Sequence, residues 1–123
     1  MPVIPGAERL PIAKLAAARE DLVGRARAGK LKADDLEEGT FTISNLGMYG
    51  VEQFVAVLNA PQAAILAVGA LEPQAVVRDG EVSVRSIMEL TLACDHRILY
   101  GADAAEFLSR IREYLETPLK LAL

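Results

Sequence analysis

The chain has 123 residues, 52% of them hydrophobic, and thirteen basic against seventeen acidic residues give a net charge of -4. That length holds one domain at most, with a buried core, and an acidic balance with basic residues scattered but for one modest cluster argues against general nucleic-acid binding, which needs a basic face. A single cysteine excludes an internal disulfide, and with a single histidine it argues against a structural zinc site.

Residues Met1 to Leu10 read as extended, and Pro11 suits the first position of a helix, where its missing N–H is no loss. Ile12, Leu15, Ala16, Leu22, Val23 and Ala26 form an apolar stripe at helical spacing. Gly24 weakens that helix, and Gly29 suits its left-handed C-terminal cap. Arg25, Arg27, Lys30 and Lys32 read either as a solvated helix end complementing the dipole or as a phosphate site. A polar connector, Ala33 to Gly39, leads to a strand over Thr40 to Asn45. There Phe41 and Ile43 share one face, and Thr40, Thr42 and Ser44 the other. A hydroxyl-lined face before the turn Asn45 to Gly50 is either a place to present donors to a ligand or an ordinary strand and turn.

The near-continuous apolar run Ala63 to Ala70 predicts a central strand covered on both sides. A shorter strand follows from Pro73 over Gln74 to Arg78, and Asp79-Gly80 predicts a hairpin turn because both tolerate positive φ. Glu81 to Asp95 returns as one long strand or two segments. The last element is a helix from about Ala102 to Glu116 with Ala104, Phe107, Leu108, Ile111, Tyr114 and Leu115 as its buried stripe. Glu106 and Arg110 form a favourable i, i+4 pair, and Asp103 suits the first turn. Thr117-Pro118 stops the helix, and the tail Leu119 to Leu123 is apolar enough to pack. No apolar run approaches the roughly 18 residues of a membrane span, and no charged-then-apolar leader opens the chain. The expectation is therefore a cytoplasmic protein with no membrane partner. The apolar surplus points to surface buried against other subunits.

Chemistry concentrates at Cys94-Asp95-His96-Arg97, which holds the only histidine. Any imidazole general-base mechanism here must run through His96. Strand alternation puts His96 on the face of Leu90, Leu92 and Cys94, partly buried where the strand ends. From the residues alone it is either a hydrogen-bonded core histidine or a base.

Two segments together add a resemblance. Gly39-Thr40-Phe41-Thr42-Ile43-Ser44-Asn45-Leu46-Gly47-Met48-Tyr49-Gly50 resembles the GTFTISNLGxxG signature of dihydrolipoamide acyltransferases, the core components of 2-oxoacid dehydrogenase complexes. Asp95-His96-Arg97 followed by Gly101-Ala102 resembles their DHRxxDGA signature. The similarity runs through nearly the whole chain, including Asn59-Ala60-Pro61-Gln62-Ala63 and Tyr114-Leu115-Glu116-Thr117-Pro118.

The resemblance implies an α/β (α+β sandwich) fold like that of chloramphenicol acetyltransferase, a mixed sheet flanked by helices. It covers the C-terminal half of the usual catalytic domain, so residues 1–123 are expected to be a domain truncated to that half. It implies a trimer-based homo-oligomer with active sites at subunit boundaries, and possible association with other components of a 2-oxoacid dehydrogenase complex. Coenzyme A would be a substrate, and the lipoyl group would ride on a separate domain or protein. His96 would be the general base and Ser44, from across the interface, the oxyanion donor, with Thr42 the second choice. Asn45, Gly47 and Gly50 would shape the turn beside the coenzyme channel. Where the family motif has an aspartate four residues after the histidine, this chain has Tyr100. With a reference pKa of about 10, Tyr100 carries no charge at neutral pH and instead offers a hydrogen bond. Two further readings stay open: an inactive self-associating scaffold that keeps the core fold, and a binding module for coenzyme A or another acyl thioester.

Overall fold

The computed structural model describes residues 1–122. Two compact units emerge, Met1–Thr40 and a second beginning at Phe41. In the first, helix α1 spans Ile12–Arg27, with Pro11 immediately before it and Leu22 its buried residue. Its C-terminal end is closed by Gly29 at φ +66°, a left-handed conformation that glycine adopts without a Cβ penalty. The extended N-terminus expected from its prolines is interrupted by a 3-10 turn at Ala7–Arg9, entered through Gly6 at φ +60°.

Within the basic cluster at the end of α1, Arg25 is tied down by acidic partners. Arg25 Nε donates to Asp21 at 2.9 Å, and its terminal nitrogens donate to both oxygens of Asp35 in the 3-10 turn Ala33–Leu36. That guanidinium, with the Lys32 backbone N–H, holds the Asp35 carboxyl down at about 2. Arg25 is thus engaged by two carboxylates, Asp21 and Asp35.

The second unit contains strands β1 (Phe41–Asn45), β2 (Ala64–Val68), β3 (Glu72–Arg78), β4 (Glu81–Ile87) and β5 (Leu90–Cys94), then helix α2 (Gly101–Glu116). One sheet runs β1-β2-β5, with β1 parallel and β5 antiparallel to the central β2. The run Ala64 to Ala67 is buried throughout, as a central strand covered on both faces requires. β3 and β4 form a separate hairpin around Asp79 (φ +52°) and Gly80 (φ +79°), the paired positive φ values of a tight turn. Glu81 to Asp95 thus divides into two strands, broken at Met88-Glu89.

Register aligns Phe41, Ala64 and Cys94 across the sheet. Helix α2 lies on their side, where Phe107 meets Phe41 edge-on with centroids 5.8 Å apart. Its expected stripe is only partly covered. Ala104, Leu108 and Ile111 are half-buried, whereas Phe107, Tyr114 and Leu115 are exposed. Three strands, two of them edges, offer a narrow surface, so a single turn-face of the helix finds cover. The pair Glu106–Arg110 forms at 3.6 Å. A 3-10 turn at Pro118–Leu121 follows the helix, and Leu119 and Leu121 are exposed, contrary to the packed tail expected; Leu123 lies outside the described residues. Among the described residues no helix is long and apolar enough to cross a membrane.

Candidate active site

Strand β5 ends where the Asp95 N–H donates to the Ala63 carbonyl at 2.9 Å. The chain then turns sharply, because the N–H groups of Ile98 and Leu99 both donate to the Asp95 carbonyl, at 3.1 and 3.0 Å. The Asp95 carboxylate clasps the same turn from the side. It accepts from the Arg97 N–H at 3.0 Å, from Arg97 Nε at 2.9 Å and from Arg97 Nη2 at 2.7 Å. These donors stabilise the ionised form and hold its carboxyl down at about 2.

At the other end of the turn, Tyr100 is the cap of α2. Its N–H donates to the Asp103 carboxylate at 3.2 Å and its carbonyl accepts the Ala104 N–H at 3.1 Å. Between these two anchors sits His96. It is exposed rather than half-buried, since strand alternation stops at Cys94 and the tight turn carries the imidazole off the sheet face. Its ring meets the Tyr100 ring edge-on, with centroids 5.9 Å apart and planes at 83°.

The β1 segment is arranged differently from its polar and apolar pattern. Thr42 is 8% exposed, and its hydroxyl donates to Gln62 Oε1 at 2.5 Å. Ser44, two residues on and on the same face, is half-buried, while the apolar Ile43 opposite is 65% exposed. Asn45 Oδ1 accepts the Gly47 N–H at 2.9 Å, which fixes the turn after the strand. Gly47 is needed there because an added Cβ would lie 2.9 Å from the Gly69 carbonyl oxygen.

Within one chain Ser44 and His96 do not meet. Ser44 lies three residues beyond Phe41 along β1, two strands from β5, and His96 follows Cys94 past the opposite end of the sheet. Strand rise and spacing put the Cα atoms of Ser44 and Cys94 about 14 Å apart, and His96 lies past Cys94. Two residues escaped the sequence reading. Gln62, the partner of Thr42, carries no local signal. Gly69 sits inside an apolar run, yet a Cβ there would fall 1.8 Å from the Glu52 carbonyl oxygen.

The family model for the 2-oxoacid dehydrogenases acyltransferase catalytic domain matches residues 1–123. The chain belongs to this acyltransferase family. It is 43% identical over 125 residues to the acetyltransferase component of the mitochondrial pyruvate dehydrogenase complex of Dictyostelium discoideum, covering 99% of this chain and 20% of that relative. Dihydrolipoamide acetyltransferase of Azotobacter vinelandii was solved to establish the role of a serine, a histidine and an asparagine in its catalytic mechanism. It superimposes with a TM-score of 0.92 at 37% identity, over 99% of this chain and 50% of that one. The cubic core of a pyruvate dehydrogenase multienzyme complex gives the same values. The fold is thus that of the acyltransferase cores, and the chain spans about half the length of the solved ones. It spans a smaller share of its sequence relatives.

Proposed function

We propose that this acyltransferase-family chain transfers an acyl group between dihydrolipoamide and coenzyme A. His96 acts as the general base and Ser44 of a neighbouring copy as the oxyanion donor. A thiol with a pKa of about 8.5 is mostly protonated at neutral pH, so a base that takes its proton creates the thiolate nucleophile. Attack on the thioester carbonyl develops a negative oxygen, and a hydroxyl aimed at it lowers the barrier.

The observation that carries this reading is a spacing. In the Azotobacter enzyme the serine stands 52 positions before the histidine and the asparagine four after it. Ser44 stands 52 positions before His96 here, and Tyr100 four after it. The asparagine also bears on Tyr100, because a family enzyme with an uncharged residue at this spacing supports a site without a carboxylate there. The separation of Ser44 from His96 within one chain supports a site built between copies. Thr42, its hydroxyl engaged by Gln62, supports the wall of that site, and Asn45 and Gly47 shape the turn at its edge.

On this reading residues 1–123 are the C-terminal half of a catalytic domain and assemble as a trimer-based homo-oligomer, in company with other 2-oxoacid dehydrogenase components. The cubic assembly of a structural neighbour favours such an association. Coenzyme A enters as substrate, the lipoyl group comes on a separate domain or protein, and the setting is the cytoplasm. The test is acetyl transfer from acetyl-CoA to dihydrolipoamide by the purified protein, with His96→Ala beside it. Turnover that disappears in the variant supports the proposal. Turnover no higher than in His96→Ala overturns it in favour of a non-enzymatic scaffold, the reading that Tyr100, with neither amide nor carboxylate, favours.

A further inference from the structure

We infer that Tyr100 is a positioning residue for His96, and that it works through its aromatic ring rather than through the polar contact an asparagine or aspartate would make there. This rests on the role proposed for His96, but its geometry is independent of it. The imidazole is exposed and has no hydrogen-bond partner among the described residues, so the Tyr100 ring is the side-chain contact available to restrain it. The two rings lie edge-on at 5.9 Å and 83°, the arrangement in which the positive edge of one ring addresses the negative face of the other.

The two rings are carried on backbone anchored at opposite ends of one short turn. Tyr100 is fixed through its backbone at the start of α2, bonded to Asp103 on one side and Ala104 on the other. His96 follows Asp95 in the turn that Asp95 and Arg97 clasp, and its imidazole makes no hydrogen bond among the described residues. The edge-on contact between rings carried on these two anchors restrains the imidazole without engaging its nitrogens in a hydrogen bond. Losing that confinement spreads the base over several rotamers and lowers the fraction of time it is aligned for proton transfer.

The test exploits the single histidine, whose imidazole resonances stand alone in a carbon–proton correlation spectrum. Tyr100→Phe keeps the ring and removes the hydroxyl, while Tyr100→Leu removes the ring and leaves the backbone cap intact. The His96 resonances are expected to stay displaced by the neighbouring ring in the wild type and in Tyr100→Phe, and to move to the values of an unstacked histidine in Tyr100→Leu. In the acetyl-transfer assay Tyr100→Leu is expected to lose about fivefold in kcat relative to Tyr100→Phe with KM for coenzyme A unmoved. His96 resonances that are the same in Tyr100→Leu as in the wild type overturn the inference, as does loss of the displacement in Tyr100→Phe. If the spectra behave as expected while the wild type turns over no faster than His96→Ala, the positioning stands and the acyl-transfer reading alone fails.

Discussion

Equal amounts of a Ser44→Ala chain and a His96→Ala chain, assembled together, are expected to recover activity that neither has alone. The strand register puts Ser44 and Cys94 about 14 Å apart in one chain, with Ser44 near one end of the β1-β2-β5 sheet and His96 past the other. A working site then draws its serine from one copy and its histidine from the next. Losing an oxyanion donor leaves about one part in a hundred of the turnover, and losing the base leaves no more. In a closed ring of randomly mixed copies, about a quarter of the boundaries pair an intact serine with an intact histidine. The mixture should therefore run at about a quarter of the wild-type rate, roughly 25-fold above either variant. The chains are unfolded together and refolded so that they exchange, and acetyl transfer to dihydrolipoamide is followed at fixed total protein. A mixture no faster than the average of the separate variants refutes the reasoning from register to shared site.

Gly69→Ala should cost about 3 kcal/mol, because overpacking against the Glu52 backbone is joined by loss of the hydrogen bond from the Ala70 N–H to the Val51 carbonyl. Denaturant unfolding reads this, and a midpoint equal to wild type would contradict the close approach. Thr42→Val leaves the Gln62 amide oxygen without its donor and should cost about 1.5 kcal/mol by the same measurement. The Asp95–Arg97 clasp responds to acid. Its folded carboxyl lies at about 2, below the ordinary 3.8, so its contribution is complete above about pH 4 and drains away as pH falls through 2. Carboxyl-carbon NMR of Asp95 should show that low midpoint, and one near 3.8 would mean the clasp does not form in solution.

Much of the fold could be read from pattern. Alternation in Thr40 to Asn45, the continuous apolar run through Ala67 and the Asp79-Gly80 turn each encode a local preference that packing did not override. Burial was less legible. Ile43 and Phe107 carry apolar side chains at the right period, yet whether such a residue is covered depends on the width of the sheet and the neighbours it meets, which periodicity does not contain. The site divides the same way. His96 stood out as the sole imidazole and Ser44 through a motif, but the turn that exposes His96 depends on Asp95 accepting from three following N–H groups. Gly69 was invisible because only a contact remote in sequence, with Glu52, distinguishes it from the alanines beside it.

The interior of the sheet unit is made chiefly of small side chains, Ala64, Ala67 and Ala70 beside Ile65 and Leu66, and among the described residues no large side chain is fully enclosed. Unfolding a single copy therefore hydrates little new apolar surface. Its heat-capacity increment should fall below the roughly 12–15 cal/mol/K per residue of ordinary domains, and its melting should be correspondingly gradual. In the oligomer proposed above, each added contact acts by mass action on that shallow transition. The melting temperature becomes a function of how much of the protein is present, so dilution alone would soften it.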